Sequence, residues 1–177
     1  MSAVEYYQVY DKKLDRCDLK IARPNHVPSG YYFGIVDIIT YNLRNHSFLI
    51  TRRSKEKGHL PGYLEVTVGC MQFGEEPIDA AKRELLEETG IKSMNLMHCK
   101  TKKTHHALAF TFLAICDIDS DSIVLQEGET EEYYWYNKDE FIELWNTKYV
   151  VPYQAERIKG LLGEIFTQVE EIEHVKR

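Results

Sequence analysis

The sequence predicts an α/β fold, a mixed β-sheet held between helices in an α/β/α sandwich, and three observations predict it. Runs rich in aromatic and β-branched residues lie on both sides of one helical segment. That segment is bracketed by Pro77 at its start and Gly90 at its end. The C-terminal stretch then turns to helical periodicity, with Ile158, Leu161, Ile165 and Val169 on one stripe. Strands, a helix, more strands and then helices are the order of a layered domain.

Each element follows from its residues. Glu5 to Lys20 is polar and reads as irregular apart from a short strand at Tyr6 to Tyr10. Pro24, Pro28, Ser29 and Gly30 make a turn-rich entry. Tyr31 to Tyr41 reads as a buried strand, Asn42 to Asn45 as a turn and Ser47 to Arg53 as the returning strand. Ser54 to Gly62 is a loop, followed by a short strand at Leu64 to Val68. In the helix that follows, Pro77 suits the first helical position, where its missing N–H costs nothing. Glu75, Glu76 and Asp79 place negative charge at the positive end of its dipole. Ile78, Ala81 and Leu85 form its predicted apolar stripe. Met94 to Thr101, Ala107 to Ile118 and Glu131 to Tyr136 read as strands. Asn137, with Glu140 three residues on, predicts a capping box, and Pro152 opens one last helix.

The 177 residues fit one domain: an N-terminal extension over 1–30, a core over 31–150 and a C-terminal helix over 151–177. Hydrophobic residues at 44% and charged residues at 28% are the profile of a globular protein that stays off membranes. No apolar run approaches the roughly 20 residues that span a bilayer. Met1 to Tyr10 has no basic segment followed by an apolar one, so no signal peptide is expected. Cys17, Cys70, Cys99 and Cys116 are scattered, which predicts neither a zinc knuckle nor disulfides and fits the reducing cytoplasm. A net charge of −6 disfavours nucleic acid as a partner and leaves small anionic substrates open.

The chemistry concentrates on the helix. Glu84, Glu87 and Glu88 stand at i, i+3 and i+4, so their carboxylates share one face and repel. Mg²⁺ would offset that repulsion, since it prefers hard oxygen ligands and is often held by carboxylates together with substrate phosphates. Arg83, four residues before Glu87, is placed to orient a carboxylate by a bidentate contact.

Gly69, five residues, Glu75, seven residues, and then Arg83-Glu84-Leu85-Leu86-Glu87-Glu88-Thr89-Gly90-Ile91 resembles the Nudix box at every specified position. Seven fixed residues at average usage give chance odds on the order of 10⁻⁸ per start site. The resemblance implies an α/β/α sandwich and hydrolysis of a nucleoside diphosphate linked to another moiety. It implies that Glu84, Glu87 and Glu88 bind Mg²⁺ or Mn²⁺, joined by the Gly69 carbonyl, with Arg83 and Glu75 orienting them. It also implies a further glutamate, metal ligand or general base, ahead of a late tryptophan-bearing strand. Glu129, six residues before Trp135, stands there, although Glu127, Glu131 and Glu132 crowd the same segment.

Arg52 and Arg53 end a strand near this site, and one of them is read as a phosphate holder. His105 and His106 are read as strand neighbours that point apart, with packing rather than ligand roles. Tyr133 to Tyr136 read as sheet faces, and Cys70 as a small buried thiol.

Subfamily markers are missing. His106 stands where the ADP-ribose type carries a proline, and Ala107, Leu108 and Ala109 where the dinucleoside-polyphosphate type carries a tyrosine. Tyr7 to Asp11, Arg52 to Lys55 and Pro61-Gly62 resemble the isopentenyl-diphosphate-isomerase-like branch, but Val68 occupies the position of its catalytic cysteine. An isomerase and a non-catalytic nucleotide-binding regulator are therefore the alternatives to a hydrolase. Such regulators commonly lose a helix carboxylate, and all are present here. A homodimer is common in the family, though no feature demands one. The loops Ser54 to Gly62 and Gln126 to Thr130 are expected to choose the substrate.

Overall fold

The computed structural model describes residues 4–93 and 95–175. The longest strand, β3 (Tyr32–Asn42), organises the sheet because so many strands find a partner along it. On one side it pairs in parallel with β8 (Ala107–Cys116) over ten register pairs, from Phe33↔Ala107 to Asn42↔Cys116. Its other side is shared in sequence by β1 (Tyr6–Tyr10), β6 (Thr67–Cys70) and β4 (Ser47–Arg53), all antiparallel. Outer pairings add β2 (Arg16–Ala22), β5 (Leu64–Glu65), β7 (Asn95–Lys103) and β9 (Thr130–Tyr136).

Alternation along the strands sends residues to two opposite cores. Val36, Ile38, Leu49, Leu108 and Phe112 pack on α1 (Pro77–Thr89) through Ala80, Ala81 and Leu85. Ile39, Tyr41, Phe48, Ile50 and Leu113 pack on the opposite side, against α2 (Lys138–Leu144), α3 (Pro152–Ile158) and α4 (Leu162–Val175). The predicted sandwich is therefore present, with α1 covering one face of the sheet and the later helices the other. Tyr133 and Trp135 join the first core, Tyr134 and Tyr136 the second, as neighbours on a strand must.

Local chemistry sets the helix ends. Pro77 opens α1, and Gly90 closes it at φ 73° in the left-handed region, its N–H donating to the Leu86 carbonyl. Asn137 and Glu140 form the predicted reciprocal capping box of α2.

Four expectations are corrected. Residues Arg16–Ala22 form a strand, which their mostly exposed, polar side chains concealed. Ile78 is exposed and Ala80 takes its place in the α1 stripe. Leu64 to Val68 is split into β5 and β6, on different partners. The last helix is two, joined by a 3₁₀ turn at Lys159–Leu161, and the stripe from Ile158 to Val169 stays buried across the break. The predicted strand start at Met94 and the first residues of the chain lie outside the described residues. All four cysteines are free thiols. Among the described residues, no helix is long and apolar enough to cross a membrane.

Candidate active site

An open cavity of about 840 Å³ is lined by residues of the sheet, of α1 and of α3, together with the loops between them. Phe33, Ile35, Cys70 and Ala107 line an apolar part of it and pack together with Ala109 beneath. One rim is built by the Nudix-like helix, and Glu84, Glu87 and Glu88 all line the cavity with Gly69.

Arg83 holds this rim together. Its Nε and Nη2 donate to the two oxygens of Glu75 at 2.8 and 2.9 Å. Its Nη1 donates to Glu84 at 2.7 Å and Glu87 at 3.1 Å, and Nη2 reaches the Cys70 carbonyl at 3.1 Å. These contacts use the five N–H groups a guanidinium offers, and they push the Arg83 pKa above its ordinary value, with the Glu75 hydrogen bonds foremost. Glu75 is fixed in turn by the Gln72 N–H at 2.9 Å. Arg83 thus ties strand β6, the loop before the helix and the helix face into one unit.

Gly69 explains how a helix carboxylate reaches the cavity. A methyl group on Gly69 would overlap the Glu84 carboxyl carbon, so Glu84 lies in space that only glycine leaves open. Burial pushes the Glu84 pKa upward, against the opposing pull of Arg83. Glu88 is deeper. Burial, followed by the charges of Glu65 and Glu84, raises it well above the usual carboxylate range, although the Val68 N–H holds it back. Its Oε2 is buried without a hydrogen-bond partner among the described residues. Glu87 is more exposed, at 45% of its side chain. Among the described residues, no three His, Cys, Asp or Glu side chains converge closely enough to enclose an ion as they stand. Glu84 and Glu87 are turned toward Arg83 instead.

Glu129 also lies on the lining and forms an ion pair with Lys57, in a loop whose Gln126 N–H donates to the Glu88 carbonyl. Burial lowers the Lys57 pKa, and the Arg53 charge lowers it further. The two predicted arginines diverge, as strand alternation requires. Arg53 lines the cavity, with Nη1 at 3.0 and 2.9 Å from the two Glu65 oxygens and two further bonds to the His59 carbonyl. Arg52 lies off the cavity lining, bonded to Glu132 at 2.6 Å and to the Tyr134 hydroxyl at 2.8 Å. His105 and His106 sit in the turn between β7 and β8, their rings 4.4 Å apart, and both line the cavity. The expectation that they point apart fails because a turn does not alternate as a strand does. Cys70 is half-buried on the lining, its thiol pKa pushed up by burial.

Sequence reading missed Glu65, Arg23, Lys102 and Tyr153. Glu65 is buried, its pKa pushed up to about 7 by burial despite Arg53. Its only signal in the chain is an acidic residue inside an apolar strand. Arg23, Lys102 and Tyr153 come from three distant segments and carry no local signature.

A mixed sheet between helices, with a glycine-backed acidic helix lining an open cavity, defines the class of the fold and site. The chain belongs to the Nudix family: the NUDIX domain model matches residues 32–156. Among curated proteins it is 28% identical over 117 residues to the NAD-capped RNA hydrolase NudC of Escherichia coli O1:K1, covering 66% of this chain and 44% of that protein. The Shigella dysenteriae serotype 1 protein of the same name is 29% identical over 116 residues, covering 65% and 44%. The chain thus spans less than half the length of these relatives. Among solved structures, DR0079 from Deinococcus radiodurans superposes with a TM-score of 0.72 at 15% identity, covering 92% of this chain and 99% of that one. A Caenorhabditis elegans Ap4A hydrolase gives 0.60 at 18%, covering 77% and 98%. At these identities the structural likenesses speak for the fold.

Proposed function

We propose that this chain is a divalent-metal-dependent pyrophosphohydrolase that cleaves a phosphoanhydride bond in a nucleoside diphosphate linked to another moiety. The observation that carries the reading is Glu88, a buried carboxylate with one oxygen left unanswered beside Glu84 and the glycine-backed strand. A buried, unsatisfied anion costs free energy unless a cation offsets it. The donor set is hard oxygen, which suits Mg²⁺ or Mn²⁺. Glu84, Glu88 and the Gly69 carbonyl would hold the ion, with Glu87 and Glu129 at the rim. When bound, the ion neutralises diphosphate charge and makes a coordinated water more acidic.

The remaining steps belong to the chain's own residues. Arg83 keeps Glu84 and Glu87 in place while substrate enters. Lys57 and Arg53, both on the cavity lining, offer positive charge to the diphosphate. Glu129 takes a proton from the attacking water. The water oxygen forms a bond to one phosphorus, the bridging P–O bond breaks, and the leaving phosphate keeps the electron pair. The names of the relatives point to nucleotide substrates, and the chain's net charge of −6 favours the small-molecule end of that range. An isomerase would need a cysteine where Val68 stands.

The test is a panel of dinucleotides, nucleotide sugars, ADP-ribose and nucleoside triphosphates with Mg²⁺ or Mn²⁺, read by phosphate-containing products. At least one dinucleotide or nucleotide-sugar diphosphate should be cleaved. Glu88→Gln and Glu87→Gln should each lower kcat, with Glu88→Gln down on the order of 10³-fold, equivalent to about 4 kcal/mol of transition-state stabilisation. Cleavage of no member of the panel would reject the hydrolase reading, and normal rates in both variants would reject the carboxylate assignment.

A further inference from the structure

Arg83, Arg53 and Lys57 share the cavity lining with Glu84, Glu87 and Glu88, and they are held very differently. Arg83 is locked by Glu75, Glu84, Glu87 and the Cys70 carbonyl. Arg53 is locked by both oxygens of Glu65 and by the His59 carbonyl. Lys57 has one tie among the described residues, the ion pair of its ammonium with Glu129. An ammonium on a four-carbon stem is a mobile point charge, unlike a guanidinium fork fixed by several bonds. The pair joins two loops that the backbone already brings together. The Ser54 N–H donates to the Glu129 carbonyl at 2.9 Å, and the Gln126 N–H donates to the Glu88 carbonyl at 3.3 Å. Lys57 and Glu129 therefore meet beside the end of α1 that carries Glu88. The largely buried ammonium lies within electrostatic reach of the deeper acids: its charge acts on Glu88 and Glu65, and that of Glu84 acts on it. Yet the Glu88 Oε2 receives no hydrogen bond from it. One exchangeable positive charge thus sits among four carboxylates and is bonded to the outermost.

We propose that Lys57 is the built-in counter-ion of this acidic wall: its ammonium holds Glu129 until a divalent cation displaces it, which frees Glu129 for the attacking water and Lys57 for the diphosphate. The inference rests on the hydrolase reading and adds an order to it, cation first and substrate second. While paired, Lys57 and Glu129 spend their charges on each other, so neither is free for its part in the reaction. A divalent cation drawn to Glu84 and Glu88 repels the ammonium. A single lysine–carboxylate pair is weak enough to give way to it, whereas Arg83 with its several bonds is not. Lys57 therefore competes with the cation, and the chain's affinity for Mg²⁺ or Mn²⁺ is lower than its carboxylates alone would give.

The test reads the cation, not turnover. Calorimetric titration of Mn²⁺ into the full chain compares wild type with Lys57→Met, Lys57→Gln and Lys57→Arg. Lys57→Met and Lys57→Gln, which remove the competing charge, should each bind Mn²⁺ about tenfold tighter. Lys57→Arg, which keeps the charge, should stay close to wild type. The two neutral variants check one another should either fail to fold. Equal affinity in wild type and the neutral variants would overturn the counter-ion. Weaker binding would overturn it too, since it would mean that Lys57 positions Glu129 for the ion rather than competing with it. A crystal structure with Mn²⁺, located by its anomalous scattering, gives a second readout. The Lys57 Nζ and the Glu129 carboxylate should then stand more than about 4 Å apart, beyond the limit of an ion pair. A pair still closed beside the bound ion would contradict the proposal. If no diphosphate is cleaved while the affinity order holds, the hydrolase reading fails and the counter-ion stands. If diphosphates are cleaved while the neutral variants bind no tighter, the counter-ion fails and the hydrolase reading stands.

Discussion

Asp37 and Glu88 are both carboxylates withdrawn from water, and the chain treats them in opposite ways. Asp37 sits on β3 at zero exposure, and α3 answers it completely. Arg157 donates to its two oxygens at 2.6 and 2.7 Å, and Gln154 adds a third bond at 3.0 Å. Gln154 also bonds both the N–H and the carbonyl of Val66. This group therefore fastens α3 to the sheet, with a counter-charge and a partner for each oxygen. Glu88 is almost as deep, yet it has an orphaned oxygen, acidic neighbours in Glu65 and Glu84, and a pKa pushed far upward. A buried charge with both oxygens answered works as a fastening. One that is left open beside a cavity makes sense as half of an interaction whose other half comes from solution.

Stability measurements can break this comparison. Asp37→Asn leaves the Arg157 guanidinium buried without a counter-charge and should cost about 3–5 kcal/mol. At this chain length that corresponds to a fall of roughly 10 °C in Tm. Glu88→Gln, in cation-free buffer, should leave Tm unchanged or raise it, because it removes an unsatisfied buried charge. Calorimetric melts of both variants test the pair, and a large loss on Glu88→Gln would place Glu88 among the fastenings.

A smaller effect sharpens the contrast through Glu65, which lies between the two cases. Burial raises its pKa from 4.5 to about 7 although Arg53 answers it. The folded state then keeps a proton that the unfolded state has already released. Glu65 therefore contributes stability below about pH 4.5, and that contribution is lost as the pH rises to about 7. Glu65→Gln cannot lose that proton, so its Tm relative to wild type should climb across this window. A difference that stays flat, or falls with pH, would show that Arg53 keeps Glu65 charged throughout.

Much of this was legible in the chain. The run from Gly69 to Ile91 named the acidic helix, its glycine-lined strand and its orienting arginine, because helical spacing fixes which carboxylates share a face. Pro77, Gly90 and the Asn137–Glu140 box fixed helix ends through local chemistry. What stayed hidden depends on distance along the chain. Asp37 and Arg157 meet across 120 positions, with no periodicity to announce them. Arg52 and Arg53 look interchangeable in sequence, and strand register alone sends one to the cavity and the other to Tyr134. His105 and His106 were misread because the sequence showed where two strands lay and not how tight the turn between them was. Strand β2 was missed because a strand with little to bury shows little alternation.

The most direct test of the open carboxylate is titration of Mg²⁺ into the metal-free protein, followed by calorimetry on wild type, Glu88→Gln and Asp37→Asn. Wild type should bind the ion, Glu88→Gln should lose at least about tenfold in affinity, and Asp37→Asn should bind as wild type does at temperatures where it stays folded. Equal affinity in wild type and Glu88→Gln, or no binding by wild type, would contradict the account.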